Sequence, residues 1–424
     1  MRALTRRPTL RAGAVAPPPA PFLAKLLVSG AGIMSLANSI TMPFLAVFLR
    51  RELGLDPAAI GLLIGSSVLF SITAGFLGGT LSDVFGRAPV LLAGLLGVVA
   101  SFIGFFVAEH VLVVFACVAA MALSTSSFAP VGKALLSDLL PEGDRVRWFS
   151  YQYLATNVGY AVGPLLGVAL GLAGGRAGFL AAAIVYGVYL AVLAVAIRTT
   201  RVAPAEASAE GEPQRGMDRF LGSFRAVAGD MRLLCFLAAG LLLEAVHLRV
   251  SVLLAQDLDI GFADGTRILA AVMTTNAITV VVFQLSASKL VLKRDPVTAI
   301  VIGALLMFAG MAGFAVAGSL WQFVAAMVVF SIGETFIVPS EFAVIDRIAP
   351  PDRRGAYFGA QTFTQLGGFV GPFLGGVLLS TWNGAAMFLG VGSLALLSSV
   401  AYLTAGRRIP GLMGRERGAS GSAA

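Results

Sequence analysis

The sequence predicts an all-α membrane protein, twelve transmembrane helices arranged as two six-helix bundles related by pseudo-symmetry. Three observations predict it. The 424 residues are 58% hydrophobic and 12% charged, whereas soluble domains carry about 25% charged residues, so the surplus apolar surface needs lipid. Twelve largely uncharged stretches are each long enough to cross a hydrocarbon core about 30 Å thick, which takes roughly 20 residues of helix. Finally, NVGYAVGPLLG, which spaces Gly159, Gly163 and Gly167 four apart with Pro164 after the middle glycine, returns 208 residues later as QLGGFVGPFLGG, with Gly367, Gly371, Pro372 and Gly375.

The spans follow in order. A basic, Pro/Ala-rich tail, 1–22, precedes the first, 23–49, which runs far beyond a signal-peptide core and has no small-residue cleavage site, so it stays as a span. Spans 58–81 and 88–108 flank the loop GGTLSDVFGRAPVL. A short break at Glu109-His110 leads into 111–137. The span 148–173 carries the first glycine and proline motif, and 177–197 completes a bundle over 23–197. The stretch RVAPAEASAEGEPQRGMDRF is polar and rich in Ala, Glu and Pro, and it marks a cytoplasmic linker, 198–232. The second bundle, 233–405, contains 233–256, 266–288, 296–317, 320–345, 356–380 and 384–405, followed by a tail, 406–424. A second pair of stretches supports the duplication: PVGKALLSDLLPEGDR at 130–145 is similar to PSEFAVIDRIAPPDRR at 339–354. Such parallel repeats about an axis along the membrane normal place a binding site between the halves.

The net charge of +8 raises the question of nucleic acid. The placement of the basic residues argues against it. With the N-terminus in the cytoplasm, twenty-four of the 30 Lys and Arg fall on the inner side, and Arg50, Arg51, Arg176 and Arg267 alone fall outside. This is the positive-inside bias, and it puts both termini in the cytoplasm of an inner-membrane protein. Cys117 and Cys235 lie in separate spans, too few for a metal cluster, so no metal site is expected.

In the loop GGTLSDVFGRAPVL, Gly79 permits close helix approach, Asp83 can pair with a basic group, Gly86 allows a tight turn and Arg87 anchors the inner face. These residues resemble the signature loop of the major facilitator superfamily, and the resemblance covers nearly the whole chain. It implies the major facilitator fold, a cytoplasmic latch at this loop, and a central cavity lined by the first, fourth, seventh and tenth helices. The Gly159 to Gly167 motif further resembles the fifth-helix motif of the twelve-helix drug:proton antiporter branch, which implies that its glycines let the two halves approach closely. One departure is plain. That branch carries an arginine in the fourth helix upstream of the proline, where this sequence reads FACVAAMAL.

Six ionisable residues lie well inside predicted spans, away from their ends: Lys133, Glu244, His247, Arg249, Glu334 and Glu341. An Asp, Lys or Arg at mid-span costs about 2.5 to 3.5 kcal/mol on insertion scales, so such groups are retained for a reason. Glu244 and Glu334 fall near mid-membrane, with His247 three residues after Glu244 on the same helical face. They are candidates for proton coupling or substrate binding, with Arg249 either a further candidate or a structural ion-pair partner. Lys133 and Glu341 occupy equivalent positions of the repeat, and with Asp83 and Arg87 they are gate candidates. Phe44, Phe48, Tyr153, Met273 and Phe336 are candidates for an adaptable apolar pocket, and Asn38, Asn157, Asn276, Gln361 and Gln365 for polar contacts.

The function expected from these readings is secondary active transport, with proton-coupled efflux of drugs or other amphiphilic small molecules by alternating access. An uptake permease for a sugar or other nutrient is the alternative, and a membrane-embedded enzyme a remote one. Only two histidines exist, and no nucleophile elbow or phosphate loop is present. The expected chain is therefore a monomer without cofactor that draws on the proton gradient, its partners being a small-molecule substrate and the bilayer.

Overall fold

The computed structural model describes residues 21–141, 144–200, 229–292, 295–350, 357 and 360–408, without the side chains of 75–84, 285–292 and several single positions. The linker between 201 and 228 and both terminal tails lie outside the described residues. The helices are α1 Pro21–Thr41, α2 Leu45–Leu53, α3 Pro57–Phe85, α4 Arg87–Val107, α5 Val111–Asp138, α6 Arg145–Ala169 and α7 Arg176–Thr200, then α8 Met231–His247, α9 Val250–Gly261, α10 Gly265–Leu292, α11 Pro296–Val316, α12 Leu320–Ile348, α13 Gly367–Thr381 and α14 Gly384–Arg408. They make twelve passes and two bundles, as the sequence predicts, because α1 with α2 and α8 with α9 each form one pass. Eleven of the passes are long and apolar enough to cross a membrane. The twelfth, α6, falls short because Gln152, Tyr153, Thr156 and Tyr160 on it line a cavity instead of meeting lipid.

Local chemistry sets the helix ends. Asp56 caps α3 by accepting from the Ala59 N–H at 3.0 Å with Pro57 in the first turn, and Asp295 caps α11 the same way through Thr298 at 2.9 Å with Pro296. Gly86 separates α3 from α4 at φ 86, a left-handed angle that suits glycine. The apolar pattern predicts unbroken first and seventh passes, and the structure corrects this. A 3-10 turn at Met42–Phe44, containing Pro43, divides α1 from α2, and Leu248-Arg249 divides α8 from α9. The two breaks lie at nearly equivalent positions of the repeat, so each bundle has an interrupted first pass.

The glycine and proline motifs explain the close packing, with one correction. Gly159, Gly163 and Gly167 bring α6 onto α1 of the same bundle: a Cβ on Gly159 would sit 2.7 Å from the Gly32 carbonyl oxygen, and one on Gly167 2.9 Å from that of Ile40. Gly367 and Gly371 likewise seat α13 on the backbone of α8 around Leu241 and Ala245. These rows hold each bundle together and do not join the halves. The halves meet through the neighbouring row of α13, where Pro372 and Gly376 lie against Gly61 and Pro57 of α3, and through Thr274 of α10, whose hydroxyl donates to the Ala161 carbonyl of α6 at 2.7 Å. All these contacts fall toward one end of the molecule, the far end, opposite the near end where α1 begins and α14 finishes.

Candidate functional site

A cavity of about 1030 Å³ lies between the bundles. Most of its lining comes from the first bundle, from α1 through α7, and the second bundle adds Leu248, Arg249, Ser251 and Val252; it extends to Lys133 and Phe149 toward the near end. Its volume suits a drug-sized molecule. Its walls mix apolar groups such as Met34, Met121 and Phe128 with polar ones such as Asn38, Gln152 and Tyr160. Of the residues expected to form an apolar pocket, Tyr153 lines it. Phe44 and Phe48 instead belong to the core, Phe48 packing edge-on against Phe179, and Met273 and Phe336 do not line the cavity.

Beside this cavity the second bundle gathers three of the predicted ionisable groups. The last turn of α8 carries Glu244 and His247, and α12 brings Glu334 across from them. His247 Nδ1 lies 3.2 Å from Glu244 Oε2, and Nε2 lies 3.2 Å from Glu334 Oε1. The Asn276 amide of α10 donates to Glu334 Oε2 and to the Ser331 hydroxyl, each at 2.9 Å. The three charged side chains keep 18%, 20% and 21% of their surface open, so they are shielded without being sealed. This arrangement constrains protons. A neutral imidazole offers one N–H and one lone pair, yet here a carboxyl group faces each nitrogen. An added proton, on the ring or on one of the carboxyl groups, would complete the hydrogen bonding of all three groups.

Arg249 does not join this cluster. At the head of α9 it turns the opposite way, and its Nη2 donates to Ser67 Oγ of α3 at 3.0 Å across the cavity roof. Ion pairing of Arg249 with either glutamate, the structural alternative left open by the sequence, is absent among the described residues. Ser67 went unremarked in the sequence, since nothing in the run of Ser66, Ser67, Ser71 and Thr73 separates it from hydroxyls that bond their own helix.

The gate candidates separate. Glu341 is buried in its own bundle, accepting from the Tyr402 hydroxyl at 2.6 Å and from the Gln361 amide at 3.4 Å, while Lys133 is exposed to the cavity. No ion pair joins Lys133 to Glu341 among the described residues, since Glu341 is turned to Tyr402 and Gln361 while Lys133 faces the cavity. Arg87 pairs with Asp138 at the foot of α5, at 2.8 Å and within one bundle, and the side chain of Asp83 lies outside the described residues. At the far end, by contrast, a pair not foreseen from the sequence is made. Arg51 at the end of α2 donates through Nε at 2.7 Å and approaches with Nη2 at 2.6 Å to Asp259 of α9, with Arg50 at 3.7 Å. The two residues are 208 apart, the offset of the repeat, and opposite charges at repeat-equivalent positions were the signal that could have found them.

Known proteins share this architecture. The profile of the Major Facilitator Superfamily matches residues 27–362 and again 250–421. An uncharacterized MFS-type transporter, YqjV of Bacillus subtilis (strain 168), is 31% identical over 82% of this chain and 84% of its own. A Na(+), Li(+), K(+)/H(+) antiporter of Planococcus maritimus is 25% identical over 89% of this chain and 94% of its own. The crystal structure of the nucleoside transporter NupG superposes with a TM-score of 0.77 at 14% identity, covering 90% of this chain and 98% of that one, which speaks for the fold alone.

Proposed function

Since the chain belongs to the major facilitator superfamily, and is thus a multi-pass membrane transporter and not an enzyme, we propose that it exports amphiphilic small molecules in exchange for protons by alternating access. The observation that carries this reading is the imidazole held between two carboxyl groups in the middle of the seventh and tenth passes. A cluster whose hydrogen bonding an added proton would complete is suited to trade that proton, and Leu248 and Arg249, next along the chain from His247, line the cavity. The antiporter relative and the resemblance of the glycine and proline motif to the drug:proton branch both support exchange. The cation cargo named for that relative supplies a second reading, alkali-cation exchange at Glu244 and Glu334.

The concentration of Lys and Arg on one side supports an inner-membrane chain with cytoplasmic termini. The near end then faces the cytoplasm, and the far-end contacts together with a cavity reaching Lys133 support an inward-facing form. Glu244, His247 and Glu334 act as the proton-binding unit and Asn276 positions Glu334 within it. The membrane potential contributes about 2.3 kcal/mol per charge moved across 100 mV. No cofactor is needed for this cycle.

The test is proton release from energised everted vesicles when amphiphilic anions, zwitterions, lipophilic cations or alkali cations are added, with wild type beside Glu244→Gln and Glu334→Gln. Release triggered by an organic substrate and abolished in either variant supports the reading. Release triggered by sodium or potassium alone selects the second reading, and no release by any addition with correctly inserted protein rejects both.

A further inference from the structure

We propose that the cavity selects amphiphiles that bear an acidic group, carboxylate, sulfonate or phosphate, with Arg249 as the anchor of that group and Lys133 as a second cation on its path. The role as substrate selectivity rests on the transport reading above, whereas the binding does not. Among the residues that line the cavity, the charged ones are Lys133 and Arg249, and no Asp or Glu is included. The nearby carboxyl groups are engaged elsewhere: Glu244 and Glu334 face His247, and Glu341 faces Tyr402 and Gln361. A cationic substrate would meet two like charges here, and an anionic one would meet two opposite charges.

Arg249 is also incompletely satisfied. A guanidinium has five N–H donors, and among the described residues this one has Ser67 Oγ as its partner and no carboxylate. Its Nε is buried without a hydrogen-bond partner. A cation removed from water without a counter-ion is costly, and an acid group whose two oxygens take two N–H bonds in parallel removes that cost. Ser67 donates its own proton to the Ile64 carbonyl at 2.6 Å, so its lone pair holds Nη2 and steadies the fork without competing for an anion. The interrupted helix explains the position: Arg249 stands at the head of α9, so its stem begins at the interface and not on a lipid-facing turn. Met121, Phe128 and Phe149 provide apolar wall for the rest of such a molecule. A positive charge on the seventh pass thus occupies the cavity in a chain whose fourth pass has none at the FACVAAMAL stretch.

The experiment is calorimetric titration of the full-length protein in lipid nanodiscs with two permanently charged ligands on one aromatic body, naphthalene-2-sulfonate and trimethyl(2-naphthyl)ammonium, with empty nanodiscs subtracted. The sulfonate is expected to bind more tightly. Arg249→Gln is expected to weaken it by about tenfold or more, the loss of a charged hydrogen bond, with Arg249→Lys partly recovering it and Lys133→Gln giving a smaller loss. Ser67→Ala is expected to retain sulfonate binding. If Arg249 is only a tie between the bundles, the two ligands bind alike and Arg249→Gln does not discriminate between them, which overturns the proposal. Absence of sulfonate binding, or unchanged sulfonate affinity in Lys133→Gln and Arg249→Lys, overturns it as well, and these two variants keep a cation or alter an exposed site, so the test survives if Arg249→Gln fails to fold. Sulfonate binding without proton release would remove antiport and leave the anion site. Proton release by the quaternary ammonium without sulfonate binding would remove the anion site and leave antiport.

Discussion

Replacing Asp259 by Asn should loosen the far end. Its carboxylate is 4% exposed and receives Nε and Nη2 of Arg51 at 2.7 and 2.6 Å, with Arg50 behind at 3.7 Å. A hydrogen bond to a charged group is worth about 1.5 to 3 kcal/mol, and a fully exposed ion pair about 0.2 to 1 kcal/mol. Arg51 is 51% exposed, which places this pair between the two limits, at about 1 to 1.5 kcal/mol once solvent screening is allowed for. The amide also leaves Arg50 and Arg51 facing each other without the neutralising charge, which works in the same direction. Since 1.4 kcal/mol is about tenfold in an equilibrium, the population with separated far ends should rise by about fivefold to tenfold. Dyes on Glu109→Cys and Gly318→Cys, exposed at the far ends of the two bundles, report this by single-molecule energy transfer, with Cys117 and Cys235 changed to Ser. Arg51→Gln should act in the same direction, and the double variant should add little, because the partners share one interaction. An unchanged distance distribution in Asp259→Asn, or additive effects in the double variant, would refute the assignment of Arg51 and Asp259 as a closure of the far end.

Gly61→Ala should open the far end by sterics alone, because its Cβ would press on the Pro372 carbonyl of the other bundle, and the same dye pair would register the longer distance. Gly371→Ala places a methyl against the Ala245 carbonyl within one bundle, where backbone meets backbone and cannot yield, so it should cost about 1 to 3 kcal/mol and lower the melting temperature of purified protein. Tyr402→Phe removes the 2.6 Å donor of Glu341, and leaving that acceptor short of a partner should cost about 1 to 3 kcal/mol, read as a thermal shift that Lys133→Ala, on an exposed side chain, does not share.

The helices were legible in the sequence wherever periodic burial was not needed to find them. Spans such as 88–108 against Arg87–Val107 and 320–345 against Leu320–Ile348 are continuous apolar runs with polar punctuation, and lipid tolerates no other reading. The interruptions at Met42–Phe44 and Leu248-Arg249 were hidden because hydropathy has no term for backbone direction, although Pro43 in the first and Glu244, His247 and Arg249 around the second mark them locally. The same blindness explains the glycine rows. The four-residue spacing announces a close contact, but it does not name the neighbour, and α6 turned its small face to α1 while α13 used two adjacent rows for two different partners. Glu244, His247 and Glu334 were found by cost, since ionisable groups at mid-span are rare. That one imidazole bridges both carboxyl groups required the crossing of α8 and α12, which no local pattern encodes.

Duplication also places charges against each other. Arg51 and Asp259 are separated by 208 residues, and so are Lys133 and Glu341. In a molecule built from two copies related by a two-fold axis, equivalent positions lie at the same depth on opposite sides of the interface, so opposite charges there face each other across it. The first pair lies at the far end and is joined; the second lies toward the near end and is apart, with Glu341 turned to Tyr402. Two bundles in contact through α3 with α13 and α6 with α10 at the far end cannot also close at the near end without tilting about those contacts, because each bundle is fastened internally by backbone-to-backbone glycine packing that does not stretch. Rigid bundles joined by these contacts among the described residues would move by rocking in the proposed cycle. The interrupted passes, which carry both Arg249 and the last turn beside His247, lie where that rocking would alter the environment of the cavity and of the proton cluster together.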